Sequence, residues 1–306
     1  MPTSQTPLYT FWAPRYWPTW LGIALLRVIV WLPQRSRMAV GRWLGRLARR
    51  LIGGRRKVVS TNLALCFPEL SAKEREQLEI RHFESLGMSI IELGITWWGT
   101  DAELSRLIEI KGLTHVQKAL ESGNGLLMWS GHFATAEITG PLLKVEVPPI
   151  AAMYRPSNNP FNDQIMRRCR GRSVAELITK SSVRGLLKAL KKNQPVWYAA
   201  DQAYIRKGTV LAPFFGEPAT TNTAVSQIAR VSDAPVVPFI PLRHGNGASY
   251  TLEFLPALEN FPSGDDEADA IRLNKLLEEQ IRRAPEQYYW VHRRFKGRPA
   301  EYPDPY

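Results

Sequence analysis

Two short runs, LLMW at 126–129 and VWYAA at 196–200, are apolar at every position instead of every second one. A strand with one face in water alternates, so a strand without alternation is covered on both faces. Further apolar runs bounded by Gly and Pro, PPIAAMY, PVVPFIPL and YTLEFLPA, are interleaved with helical patterns near 72–100, 113–122, 183–193 and 266–284. That alternation predicts an α/β sandwich around a central, mostly parallel sheet. Ligand sites in such sheets lie at the carboxyl ends of strands. Ser130, His132, Arg155 and Asp201 all stand where an apolar run stops.

The segment LLMWSGHFATAEITG ends a strand, turns at Gly131, places His132 in the connection and opens a helix carrying Glu137. On one continuous helix the two side chains would diverge, but with His132 in the preceding loop the carboxylate is expected to reach back to the ring. A neutral imidazole oriented by a carboxylate takes a proton from a hydroxyl as that oxygen attacks a carbonyl. The carboxylate then has its triad role, with a substrate hydroxyl in place of an enzyme serine. A histidine and a glutamate five positions apart are common by chance, and the bland alternative is a loop histidine beside a surface carboxylate. The position after a buried strand, in a chain with only five histidines, favours the chemical reading. There is no HExxH, and His82, His115, His244 and His292 are scattered, so no metal is expected. No cofactor is expected either. Cys66 and Cys169 form no CxxC pair, which fits idle thiols in a reducing compartment.

A hydrophobic content of 44% in 306 residues supplies a full core, and no repeat, low-complexity linker or second charge block divides the body. The formal charge of +12 is concentrated: every acidic residue lies at or beyond Glu69, while eleven Lys and Arg precede residue 58. They follow an apolar, Trp-rich stretch, a pattern that fits an anionic membrane surface and not a nucleic acid. From residue 17 to 32 the sequence is apolar except for Thr19 and Arg27. As a helix it extends about 24 Å, short of a hydrocarbon core of ~30 Å. A tight single span or an embedded interfacial helix is expected, with a cleaved signal peptide or an ordinary core helix as alternatives. The basic helix at 36–51, with Trp43, Leu47 and Leu51 opposite its arginines, extends this segment. The expected organisation is a membrane anchor with basic segment at 1–57 and a catalytic domain at 58–306, on the cytoplasmic side by the positive-inside rule.

PRYWPTWLGI, NLALCFPELS with FESLGM after it, HxxxxE at His132 to Glu137, YRPSNNP, LKALKKNQPVWYAADQ and APEQYYWVHRRFKGRP run nearly end to end. Together they resemble the late acyltransferases of lipid A biosynthesis, the lauroyl acyltransferase type in particular. The resemblance implies a glycerol-phosphate-acyltransferase-like fold, an acyl carrier protein thioester as donor, and a Kdo-bearing lipid A precursor as acceptor at the bacterial inner membrane. It assigns His132 as general base, Glu137 as its partner, and Arg155 and Asp201 as residues lining the site. Arg184, Lys188, Lys191 and Lys192 share one face of a helical pattern and are candidates for meeting the carrier or a phosphate. Arg167, Arg168, Arg170 and Arg172, and the run from His292 to Arg298, are rivals for that contact. A thioesterase or phospholipase using the same pair on water is the enzymatic alternative.

Overall fold

The computed structural model describes residues 6–203 and 208–306, so residues 1–5 of the expected anchor lie outside it. A helical layer comes first: α1 (Trp17–Val30), α2 (Gln34–Leu51), α3 (Gly53–Cys66), α4 (Ala72–Trp98) and the short α5 (Asp101–Ser105). Strands and helices then alternate through β1 (Ile108–Lys111), α6 (Leu113–Leu120), β2 (Leu126–Ser130), α7 (Ala136–Glu146), β3 (Ala151–Tyr154), α8 (Pro160–Arg170), β4 (Glu176–Thr179), α9 (Val183–Lys191) and β5 (Pro195–Ala199). A hairpin of β6 (Thr209–Phe214) and β7 (Glu217–Asn222) precedes α10 (Ala224–Ser232), β8 (Val236–His244), β9 (Ser249–Phe254) and α11 (Asp266–Arg283).

Among the described residues the main sheet has seven strands in the order β1-β9-β8-β2-β5-β3-β4. Every pairing is parallel except β8 with β9. β2 lies in the middle, and all five of its side chains are buried. Its lack of alternation has the expected cause: Leu126 and Met128 pack with Ile138 and Leu143 of α7, while Leu127 and Trp129 pack with Leu186 and Leu190 of α9. The two crossover helices therefore cover opposite faces of the sheet. Truncating a side chain such as Leu127 would cost about 2–5 kcal/mol.

α4 begins at a capping box in which Glu74 N–H donates to Ser71 Oγ at 3.3 Å and Ser71 N–H donates to Glu74 Oε2 at 2.7 Å. A buried cluster joins this helix to the sheet. Arg243 of β8 donates Nε and Nη2 to the two Glu92 oxygens at 2.6 and 2.8 Å, and the Tyr250 hydroxyl adds a bond of 2.8 Å.

The N-terminal region departs from expectation. No helix among the described residues is long and apolar enough to cross a membrane. α1 has 14 residues, and its Leu26 and Val30 press on Gly94 of α4. Trp17, Leu21, Leu25 and Val28 remain exposed on its other side. Arg27, the break in the apolar run, is placed over the rings of Trp31 and Trp98 at 5.4 and 5.3 Å, where a cation gains from both π faces.

α2 docks on α4 through glycines. A Cβ on Gly45 would overlap the Phe83 carbonyl oxygen, and one on Gly87 would overlap the Gly41 carbonyl oxygen. Gly41 and Gly45 face inward and Trp43, Leu47 and Leu51 face outward, so the apolar stripe read from the sequence is the exposed side. The boundary expected near Lys57 falls inside α3, which is continuous from Gly53 to Cys66.

Candidate active site

Ser130 of β2 and Ala199 of β5 are in register as neighbouring parallel strands. His132 and Asp201 each lie two residues beyond that pair, so the register delivers both to the same point on the carboxyl edge of the sheet. Asp201 Oδ1 bonds the His132 imidazole at Nδ1, and Asp201 Oδ2 accepts the His132 backbone N–H at 3.0 Å. Tyr288 lies in the same recess as Asp201, where its hydroxyl also favours the charged carboxylate. The side chain of Asp201 is 1% exposed and that of His132 is 37% exposed. With Nδ1 engaged, Nε2 is the ring nitrogen left for a substrate.

The loop holding His132 is clamped from outside the sheet. Ala134 N–H donates to Gln287 O at 2.7 Å and Tyr289 N–H donates to His132 O at 2.9 Å, an antiparallel bridge centred on Phe133 and Tyr288. Asn62 of α3 supports this C-terminal segment in turn, donating to the carbonyls of Trp290 and His292 at 2.7 and 2.8 Å.

The electrostatics follow from burial and these partners. Burial pushes the His132 imidazole down and the Arg170 charge opposes its protonation, but the charge and hydrogen bond of Asp201 outweigh both and raise its pKa above the usual histidine value. Burial alone would raise the Asp201 carboxyl. His132 and Tyr288 reverse this and hold it well below the carboxylate range. His292, half-buried nearby, is pushed down to about 4 by burial and by Lys296, so it is neutral at physiological pH.

Glu137, the carboxylate expected on the imidazole, is hydrogen-bonded elsewhere. It accepts both Nε, at 3.2 Å, and Nη2 of Arg170 in a bidentate pair. Glu137 belongs to the first turn of α7 and Arg170 is the last residue of α8, so each charge also sits at the favourable end of its helix dipole. The partner was misread because a reach back along the chain was considered and a neighbouring strand was not. Asp201, expected as a residue lining the site, holds the imidazole and the His132 N–H.

A crevice of about 460 Å³ opens at this point, and His132, Glu137, Arg155 and Arg170 all line it. Its floor is the face of the sheet under α7 and α8. Arg155, which follows β3, is exposed at the site, and Arg55 of α3 also lines the crevice while donating to Val291 O at 3.0 Å. Arg184, Lys188, Lys191 and Lys192 are exposed on α9, against the opposite face of the sheet, and are absent from the described crevice lining. Sequence reasoning missed Arg55, Tyr288 and the special position of Arg170. The last was hidden among equivalent arginines; the only signal for Tyr288 was the motif APEQYYWVHRR. Among the described residues no cluster of His, Cys, Asp and Glu could hold a metal ion.

A buried carboxylate holding an imidazole at a cation-lined crevice on an α/β sheet is an arrangement able to take a proton from a bound hydroxyl. Residues 8–297 match the family model for bacterial lipid A biosynthesis acyltransferases. Similar proteins include the lipid A biosynthesis lauroyltransferase of Escherichia coli K12, 40% identical over 96% of each chain. The palmitoleoyltransferase of the same organism is 37% identical over 95% of this chain and 94% of its own. The corresponding myristoyltransferase is 26% identical over 97% of this chain and 92% of its own. The chain belongs to the bacterial lipid A biosynthesis acyltransferase family.

Proposed function

We propose that this chain transfers a fatty acyl group from an acyl carrier protein thioester to a hydroxyl of a Kdo-bearing lipid A precursor, with His132 as general base. The observation that carries this reading is the bond from the buried Asp201 carboxylate to His132 Nδ1, which points the opposite nitrogen at the crevice. In the reaction Nε2 takes the acceptor's hydroxyl proton as that oxygen bonds to the thioester carbon. Asp201 stabilises the imidazolium without itself becoming protonated. The tetrahedral intermediate then expels the thiolate, which recovers the proton from His132, leaving an ester and a free carrier thiol.

Glu137 acts in this scheme through Arg170. By neutralising and orienting the guanidinium it keeps a cation beside the base, where negative charge develops on the carbonyl oxygen. Arg55 and Arg155 supply positive charge for an acceptor bearing phosphates.

The enzyme meets its lipid at the cytoplasmic face of the inner membrane through its N-terminal helices, none of which, among the described residues, is long and apolar enough to cross it. The outward sides of α1 and α2 combine exposed Trp17, Leu21, Trp31, Trp43 and Leu51 with arginines, the composition of a helix pair lying in an anionic interface.

The test incubates purified protein with an acyl carrier protein thioester, with and without the lipid A precursor. Acceptor-dependent thiol release and an acylated lipid are expected, and both are lost in a folded His132→Ala protein. Equal thiol release without acceptor identifies a thioesterase, and normal transfer by His132→Ala removes His132 from the mechanism.

A further inference from the structure

Building on the acyltransferase reading, we propose that the donor acyl chain lies in the crevice between α7 and α8 with its methyl end against Gly140 and Ser173, and that these two residues set the chain length accepted.

The crevice runs away from the base along a single face of the sheet. Its floor passes from Tyr154 and Ala199 at the carboxyl edge to Ala152 and Trp197, which are in register two residues earlier. On the α7 side the lining steps from Ala136 and Glu137 to Gly140, about one helical turn further from His132. Glu137 and Arg170 pair at the end of the crevice nearest His132. Beyond them the wall is Gly140, Ala152, Ser173 and Val174, small or apolar groups suited to hydrocarbon and offering no charge to a second polar substrate.

Away from His132, two lining segments approach each other at Gly140 and Ser173. A Cβ built on Gly140 would stand 3.0 Å from Ser173 Cβ and 3.6 Å from its Oγ. Ser173 is 8% exposed and follows α8 in a turn, with its N–H on the Arg170 carbonyl at 2.9 Å, so it has little room to retreat. A methyl group at position 140 therefore takes space from this end of the crevice, and removing the Ser173 side chain gives space back. Neither residue contacts the His132–Asp201 pair in the described hydrogen bonds. Gly140 does not have a left-handed backbone, but it precedes Pro141 inside α7, so the alanine variant is first checked for folding.

The experiment offers wild type, Gly140→Ala and Ser173→Gly an equimolar mixture of saturated acyl carrier protein thioesters of ten to sixteen carbons with the lipid A precursor. Product masses give chain usage, and thermal unfolding confirms that each variant is folded. Gly140→Ala is expected to shift usage toward shorter chains and Ser173→Gly toward longer ones. Each shift should change the ratio of adjacent even-numbered chains by about 10-fold, the scale on which an apolar pocket discriminates methylenes. Wild-type usage in both folded variants, or a shift in the same direction in both, overturns the length assignment while leaving transfer intact. Absence of transfer by wild type from every thioester overturns the acyltransferase reading itself.

Discussion

Glu137 and Arg170 close a two-toothed ion pair between the start of α7 and the end of α8, within the same crevice as the imidazole that the glutamate was expected to serve. The carboxylate of the HxxxxE element thus reaches the base only through a guanidinium, and the two should behave as one unit. Glu137→Ala and Arg170→Ala are each expected to lower kcat by roughly 10²-fold. The double variant should lose little more, with a coupling of about 2–3 kcal/mol in a double-mutant cycle of kcat. Strict additivity would show that they act independently.

Asp201→Asn tests the other carboxylate. Loss of the charge that fixes the ring tautomer is expected to lower kcat by about 10³–10⁴-fold. The pH profile adds a signature that a merely structural residue would not produce. In the wild type Asp201 raises the His132 pKa, so the basic form, and the rate, should be lost below a pH above the usual histidine value. Without that charge, burial and Arg170 act unopposed and the acid limb should move to lower pH. An unmoved limb contradicts the pairing.

The same pair links stability to pH with opposite signs. The raised His132 pKa contributes stability that is complete below the unfolded histidine value and fades as pH rises through the folded value. The depressed Asp201 pKa contributes stability above the unfolded aspartate value that is lost as pH falls through the folded one. Denaturant unfolding of wild type and Asp201→Asn across acid pH should show the difference between them shrinking as Asp201 protonates.

The α2–α4 crossing predicts a contrast between glycines. Gly87→Ala, which meets backbone, should destabilise the protein by about 1–3 kcal/mol. Gly22→Ala, on α1 with nothing within 4 Å, should stabilise by about 0.5–1 kcal/mol. Paired thermal melts decide between this geometry and a loosely attached N-terminal segment.

For the membrane surface, replacing Trp17, Leu21 and Trp31 together by serine should abolish cosedimentation with vesicles containing anionic lipid, while circular dichroism stays native. Full binding by that variant would remove the exposed side of α1 from the interface.

How much of this could be read in advance depended on the range of the interaction. The buried sheet was legible because strand burial writes itself into consecutive residues such as Leu126 to Trp129, and the edge position of His132 followed from where that run stops. The partner of His132 was not legible, because it depends on which strand lies beside β2, and β5 begins some seventy residues later. In the N-terminal region the outward apolar pattern of α2 was legible, but the docking of α2 on α4 was not. Glycines at 41 and 45 let backbones touch beside the buried Arg37 and Met38, so part of the buried side carries no side chain to mark it. A periodicity argument weights large apolar groups and has no term for that kind of contact.

The bridge between Phe133 and Tyr288 makes the loop that carries the imidazole depend on a segment far along the chain, beyond the last strand of the sheet. A nascent chain can complete its central strands while the histidine loop still lacks its clamp and the Asp201 carboxylate its tyrosine. The histidine loop therefore takes its final place only once that distant segment has docked, so a variant that loosens the segment also loosens the imidazole.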